Sequence, residues 1–187
     1  MNHLVAVVLS FILGAIFQSV LFPVFFSVLS WIPGFGFLAA STVDVLLLLV
    51  VYHGLQRPFP QSFVLATFAG VLSHAFGSSW RGAVFTNVLI LSLVTTAIKD
   101  HIFAKSVKAR MILAAVFTFF GALSEWVWGG VFVQSSHMFQ GLWGTMVLQM
   151  LIHALFAPMI FYLLIQLDAW TLGRPFTERN VVFGEGD

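Results

Sequence analysis

Long apolar stretches alternate with short polar segments along the whole chain. Each stretch is close to the roughly 20 residues that a helix needs to cross the hydrocarbon core of a bilayer. The pattern therefore predicts an all-α integral membrane protein, with six transmembrane helices in a single domain. The predicted spans are residues 4–31, 35–55, 62–77, 82–98, 111–133 and 143–167, followed by a tail over residues 168–187.

Two irregularities are expected near the N-terminus. Pro23 lies inside the first predicted span and should kink that helix, because proline removes a backbone donor. Residues 31–36, Trp-Ile-Pro-Gly-Phe-Gly, are typical of a tight turn. Ser41 and Thr42 are expected to cap the second helix, which would place Asp44 in its first turn.

The composition excludes a soluble domain. Apolar residues make up 60% of the 187 residues, charged residues only 8%, and the mean hydropathy is +1.02. Too little polar surface is left to solvate a globule of this size. The chain contains no cysteine, which excludes disulfides and thiolate metal sites. A net charge of only +1, without a basic patch interleaved with aromatic residues, argues against a nucleic-acid partner.

Basic residues are distributed unevenly between the two sides of the membrane that the six predicted spans would cross. With the N- and C-termini in the cytoplasm, seven of the eight Lys and Arg residues lie in cytoplasmic segments and only Arg81 lies outside. This asymmetry follows the positive-inside rule. The connection between the fourth and fifth spans is the most basic, and it is expected to contact acidic lipid headgroups or a partner protein. Its cations are Lys99, Lys105, Lys108 and Arg110.

Ionisable side chains within spans cost about 2.5–3.5 kcal/mol at mid-membrane, so each one invites a functional hypothesis. Glu125 lies near the middle of the fifth predicted span, and no span carries a Lys or Arg at comparable depth. Three interpretations remain open: Glu125 is protonated, it hydrogen-bonds a His or Ser of a neighbouring span, or it meets a partner protein. The candidate structural or partner-binding polar residues are Asp44, His74, Glu125, His153 and Asp168.

Three histidines in spans, His53, His74 and His153, could in principle form a metal or proton-relay cluster with Glu125. Their different predicted depths, and the lack of an i, i+4 pair, favour hydrogen bonds between helices instead. Motifs for a nucleophile elbow or a phosphate loop are missing. We therefore expect no enzymatic activity, no metal and no cofactor. The same interhelical role is expected of Gln18, Asn87, Gln149 and Gln166.

Several segments together resemble the MreD family of bacterial rod-shape membrane proteins, over residues 43–170. The first is the run 44–49, an Asp followed by apolar residues, with Tyr52 and Arg57-Pro58 after it. The second is the segment 70–77 with Gly82, in which His74 stands where the family commonly has Asp. The last comprises Glu125 and the closing residues Ala157, Pro158, Phe161, Leu164, Leu167 and Asp168.

The resemblance implies a compact bundle similar to the S components of energy-coupling-factor transporters, in the bacterial cytoplasmic (inner) membrane. It also implies a non-enzymatic scaffold of the elongation (rod) complex, which binds the single-span protein MreC and helps organise peptidoglycan synthesis and cell shape. MreB and the pair of glycosyltransferase and class B penicillin-binding protein are implied as further partners, direct or indirect. The kinship with S components leaves an alternative, a transporter subunit that binds a vitamin-like small molecule.

These interpretations differ in what the outer half of the bundle should contain. A small-molecule subunit needs a pocket with convergent polar side chains, whereas a scaffold needs an apolar surface for a partner helix. The outer segments are rich in aromatic residues and carry Arg81 as their only charge, which favours the docking surface. A helical scaffold with some other partner also remains open. The candidate docking residues are Trp31, Phe35, Trp80 and Trp143.

Overall fold

The computed structural model describes residues 3–36, 43–76, 81–99, 107–133 and 142–172. Helices are the regular structure of these residues, and no strand occurs among them. The elements are α1 (His3–Ile16), a π-helical turn (Phe17–Leu21), α2 (Phe22–Leu29), α3 (Val45–Gln56), α4 (Phe59–Phe76), α5 (Arg81–Ile98), α6 (Val107–Val133) and α7 (Leu142–Leu172).

Each predicted span contains a helical segment, but some bounds differ. Helix α3 begins only at Val45, ten positions after the predicted start, and its N-cap is Asp44 itself; Ser41 and Thr42 lie outside the described residues. Helix α6 begins at Val107, so its first turn includes part of the predicted basic connection. Helix α7 continues to Leu172 and takes up the start of the predicted tail.

Among the described residues, three helical segments are long and apolar enough to cross a membrane. They are Leu4–Leu29, Phe59–Phe76 and Gly144–Thr171. Helix α3 and the Phe85–Ile98 part of α5 are apolar but shorter. The protein is thus all-helical in its described part, as expected for a helical membrane protein.

Helix α3 forms the centre of the bundle. Every residue from Val45 to Leu55 is buried, and α1, α4, α5, α6 and α7 all pack against it. A helix that is apolar on all sides is stable only when other elements surround it or a membrane does. Since every side chain from Val45 to Leu55 is covered by the surrounding helices, α3 is the core helix of the bundle.

The outer faces of the surrounding helices are apolar. On α7 the exposed side chains recur every four residues, at Val147, Leu151, Leu155, Met159 and Leu163. In contrast, several polar side chains are buried between the helices. A water-soluble bundle places its polar residues on the outside. The reversed distribution indicates that lipid, and not water, is the solvent of this bundle. The buried polar residues are His53, Ser62, Ser73, Asn87, Ser92, Thr95, Thr118 and His153.

Small residues bring α4 and α5 close together. The Ser62 hydroxyl on α4 lies 3.3 Å from the Ser92 hydroxyl and 3.0 Å from that of Thr96 on α5. About two helical turns further along α4, Gly70 lies against the ring of Phe85. Close approach through small residues supplies the van der Waals contact that holds helices together in lipid. The buried residues on this face of α4 are Ser62, Ala66, Ala69, Gly70 and Ser73.

The predicted turn after the first span is confirmed. Phe35 N–H donates to the Ile32 carbonyl at 3.0 Å, and Gly34 has a φ of +93°. Pro33 followed by a residue with positive φ fits a type II turn, in which glycine is favoured at that position. At Pro23 the helix is irregular on its N-terminal side, where Phe22 N–H donates to the Phe17 carbonyl in the π-helical turn.

Candidate functional site

The N-terminus of α3 is held by hydrogen bonds to its cap residue, Asp44, and to Gln18. Asp44 adopts a non-helical backbone conformation, and its carboxylate accepts a hydrogen bond from Leu47 N–H at 2.9 Å. Leu46 N–H donates to the Gln18 side-chain oxygen at 3.1 Å. The first N–H groups of a helix have no partner within the helix, so these acceptors satisfy donors that would otherwise be buried unpaired.

His153 of α7 binds the same helix end. The Asp44 backbone N–H donates to His153 Nε2 at 2.6 Å, and His153 Nδ1 lies 2.9 Å from the hydroxyl of Thr118 on α6. A backbone N–H only donates, so Nε2 must be the unprotonated nitrogen and Nδ1 carries the proton. Thr118 can accept it because its own hydroxyl donates to the Ala114 carbonyl at 2.7 Å. His153 is therefore a neutral connector between α3, α6 and α7.

We refer to Gln18, Asp44, Thr118 and His153 as the N-terminal cluster. Gln18 lies in the π-helical turn between α1 and α2, so the cluster joins the N-terminal segment, α3, α6 and α7. A π-helical turn widens the helix locally and is common at functional sites. Here it lies where the Gln18 side chain reaches the start of α3. The hydrogen bonds of this cluster therefore fix the N-terminus of α3.

A second polar cluster occupies the opposite end of α3. The Tyr52 hydroxyl donates to Asp168 Oδ2 at 2.8 Å, and Arg57 Nη2 lies 3.6 Å from Asp168 Oδ1. Arg57 Nε–H donates to His53 Nδ1 at 3.0 Å. Arg57 and Asp168 are mostly buried, with side chains 16% and 20% exposed. Ion pairs shielded to this degree interact more strongly than surface pairs.

Two further cations adjoin this pair. Lys99 Nζ donates to the Arg57 carbonyl at 3.4 Å, and Arg110 is close enough to the Tyr52 hydroxyl to interact with it electrostatically. We refer to Tyr52, His53, Arg57, Lys99, Arg110 and Asp168 as the C-terminal cluster. Among these six described side chains, three are basic and one is a carboxylate. The cluster therefore has a positive excess.

An apolar cleft of about 340 Å³ lies between α1 and α7. Val45 and Leu49 of α3 line it from the core, and the hydroxyl of Ser10, its one polar lining side chain, donates to the Val7 carbonyl at 2.7 Å. The cleft thus offers no convergent polar groups to a ligand. Its walls on α1, the π-helical turn, α2 and α7 include Leu13, Gly14, Phe17, Phe22, Met159, Ile160, Leu163, Leu164 and Leu167.

The structure separates the predicted polar residues into different places. Asp44 and His153 meet in the N-terminal cluster, and Asp168 lies in the C-terminal cluster. His74 is exposed in the last turn of α4. The backbone of Glu125 is helical within α6, but its side chain lies outside the described part of the chain, so its three interpretations stay open.

The predicted docking and basic residues are placed in part. Trp31 and Phe35 are both exposed in the turn after α2. Trp80 lies outside the described residues, and Trp143 lies in the first turn of α7 with its side chain not described. Lys99 lies in the turn directly after α5, whereas Lys108 is exposed in the first turn of α6 and Arg110 is half-buried there. Lys105 lies outside the described residues.

The expected polar connections between helices are found for some residues. Gln18 bonds the start of α3, and Asn87 Nδ2 donates to the Gly121 carbonyl of α6 at 3.2 Å. Gln166 instead donates within its own helix, to the Tyr162 hydroxyl at 3.0 Å, so the interhelical role is wrong there. Within the described residues, no group of three or more His, Asp and Glu side chains is arranged to hold a metal ion.

Sequence reasoning missed several partners in these clusters. Thr118 was not singled out, although an isolated Thr within an apolar run is a signal for a buried hydroxyl. The contact residues Ser62, Ser92 and Thr96 were also missed. Their signal was the spacing of small residues along α4, which matches one helical face.

We compared the chain with protein-family models, with curated proteins and with solved structures. No match was found in any of the three comparisons.

Proposed function

We propose that the chain is a non-enzymatic scaffold of the bacterial inner membrane, of the MreD type, with six spans and both termini in the cytoplasm. In this function it receives the transmembrane helix of the single-span protein MreC and helps position the peptidoglycan-synthesising machinery. MreB and the glycosyltransferase and penicillin-binding protein pair would be reached directly or through MreC.

One observation carries the proposal. Tyr52 and Arg57 belong to the first part of the resemblance, and Asp168 belongs to the last. Asp168 is 116 positions from Tyr52 and 111 positions from Arg57, and yet the three side chains meet at one end of α3. Segments that contribute to one folding unit are expected to come together in this way, whereas chance similarities in separate segments need not. The contact supports treating the scattered motifs as one family pattern.

The interior supports a scaffold over a small-molecule subunit. The buried polar groups of the two clusters bind helix ends and one another. The described cleft between α1 and α7 is apolar, whereas a vitamin site needs polar groups that fix the ligand. The buried polar groups of the two clusters therefore hold helices together.

The surface that we assign to MreC lies on α2 and the following turn. Its large side chains are exposed, with Trp31 82% exposed, and Phe25, Val28 and Phe35 extend the same apolar region along the chain. Aromatic residues dominate many interfaces because they bury much surface with little entropy loss. A single transmembrane helix could cover this strip without opening the bundle.

Co-purification tests the proposal. The chain is co-expressed with MreC, extracted in mild detergent, and analysed for both captured protein and bound small molecules. We expect stoichiometric MreC, and a loss of most of it in Trp31→Ala. Trp170→Ala is the matched control, because Trp170 is similarly exposed at the far end of α7. A retained vitamin-like compound without MreC would favour the transporter alternative instead.

A further inference from the structure

The shape of the cleft between α1 and α7 limits what can fill it. Its walls extend from Ser10 to Phe22 along the N-terminal segment, about 18 Å, and from Met159 to Leu167 along α7, about 12 Å. The cleft has a volume of about 340 Å³ and is open along one side.

This volume is sufficient for one hydrocarbon chain. With carbon contacts at about 4 Å, such a chain has a cross-section of roughly 13 Å² and occupies roughly 230 Å³ over about 18 Å. Because Ser10 donates to its own helix, the walls present hydrocarbon along their whole length.

One end of the cleft adjoins the C-terminal cluster. Leu167 lines the cleft, and the next residue, Asp168, is paired with Arg57 and Tyr52. On α3, Leu49 lines the cleft and Tyr52 follows within one helical turn, about 5 Å along the axis. A chain lying in the cleft would thus begin at the end of α3 where the C-terminal cluster lies.

An apolar cleft that ends at a basic cluster matches an acyl chain with an anionic headgroup. We propose that the cleft holds one acyl chain of an anionic phospholipid, whose phosphate lies at the C-terminal cluster and is attracted by its positive excess. In the orientation proposed above, this cluster faces the cytoplasmic leaflet, where anionic headgroups are bound by basic pockets between helices. The inference rests on the membrane embedding of the proposed function and not on the rod complex.

The bound lipid would bridge the gap between α1 and α7. The acyl chain would contact both helices and the core residues Val45 and Leu49. It would thereby complete the packing of a side of the bundle that the chain itself leaves open.

Native mass spectrometry of the purified full chain tests this site. Phosphatidylglycerol and phosphatidylcholine with the same acyl chains are added in turn to the delipidated protein. We expect one tightly bound phosphatidylglycerol per chain and weaker binding of phosphatidylcholine. Equal binding of the two lipids would overturn the headgroup assignment.

Matched variants locate each half of the lipid. Leu163→Trp fills the cleft from its exposed rim and should weaken binding of both lipids at least tenfold. Leu155→Trp, exposed on the same helix outside the cleft, should leave binding unchanged. Lys99→Gln should weaken phosphatidylglycerol about fivefold, the effect of one surface cation, and spare phosphatidylcholine. Lys108→Gln, an exposed cation in the first turn of α6, is its control.

Equal effects of Leu163→Trp and Leu155→Trp would overturn the acyl site. If Leu163→Trp does not elute as a folded monodisperse protein, Met159→Trp, on the same cleft wall, replaces it. Capture of MreC by the same variants is measured in parallel. Capture without selective lipid binding would leave the proposed function standing and reject the lipid site, and the reverse result would reject the scaffold alone.

Discussion

His153 Nε2 accepts a hydrogen bond from the backbone N–H of Asp44 at 2.6 Å, across 109 positions of sequence. The contact fixes the start of the central helix to the middle of the longest helix, α7. Through Thr118 it also includes α6. One neutral imidazole therefore links the start of α3 to both α6 and α7.

Replacing His153 with Phe keeps a ring of similar size but removes the acceptor. The Asp44 N–H would remain buried without a partner, so we expect a loss of about 1–3 kcal/mol in the free energy of unfolding. SDS titration in mixed micelles measures it. His74→Phe, on an exposed position, should change stability by less than about 0.5 kcal/mol. Equal effects of the two variants would contradict the role of His153.

Asp44 should tolerate Asn and not Ala. Asn retains a side-chain oxygen for Leu47 N–H, whereas Ala leaves that donor unpaired. We expect Asp44→Ala to lower the free energy of unfolding by about 0.5–2 kcal/mol and Asp44→Asn to cost much less. If Asn and Ala cost the same, the negative charge of Asp44, and not its capping geometry, would be what stabilises the helix.

The sequence predicted the helices better than their contacts. Apolar length and Gly/Pro turns are local properties, so the helical segments and the turn at Gly34 could be predicted from them. The start of α3 at Val45 could not, because the apolar residues ahead of Asp44 continue the hydropathy signal. The pairing of Tyr52 with Asp168 depends on which helix faces meet, and a single sequence does not show which faces these are.

A double-mutant cycle tests the contact between Tyr52 and Asp168. Tyr52→Phe and Asp168→Ala each remove one partner, and we expect a coupling energy of about 0.5–3 kcal/mol. The one other tyrosine supplies the control: Tyr162 is half exposed, and its hydroxyl accepts a hydrogen bond from Gln166 Nε2 of the same helix at 3.0 Å. Tyr162→Phe should show no coupling to Asp168→Ala. Additive effects for Tyr52 would mean that the contact contributes nothing to stability.

Gly70 and Gly144 should respond to Ala with opposite signs. A Cβ at Gly70 would lie 2.6 Å from the ring of Phe85, so Gly70→Ala forces the α4 and α5 contact apart and should cost about 1–3 kcal/mol. At Gly144 no atom lies within 4 Å of such a Cβ, and the gain in helix propensity should add up to about 1 kcal/mol. The same SDS titration compares them. Stabilisation by Gly70→Ala would contradict the close packing.

The membrane topology can be measured with single-Cys variants, and no native cysteine has to be removed first because the chain contains none. Single-Cys variants at the exposed positions Trp31 and Lys108 are treated in intact cells with a membrane-impermeant maleimide. We expect labelling of Trp31→Cys only, and labelling of Lys108→Cys after the cells are opened. Labelling of Lys108→Cys in intact cells would contradict the proposed orientation.

The most direct test of the scaffold is site-specific photo-cross-linking in cells that express MreC. A photoreactive residue is placed at Phe25 on α2 and, as the control, at Phe120 on α6, two phenylalanines of similar exposure. The account predicts a cross-link from position 25 to the MreC transmembrane helix and none from position 120. Cross-links from position 120 alone, or from neither position while MreC co-purifies, would contradict docking on α2.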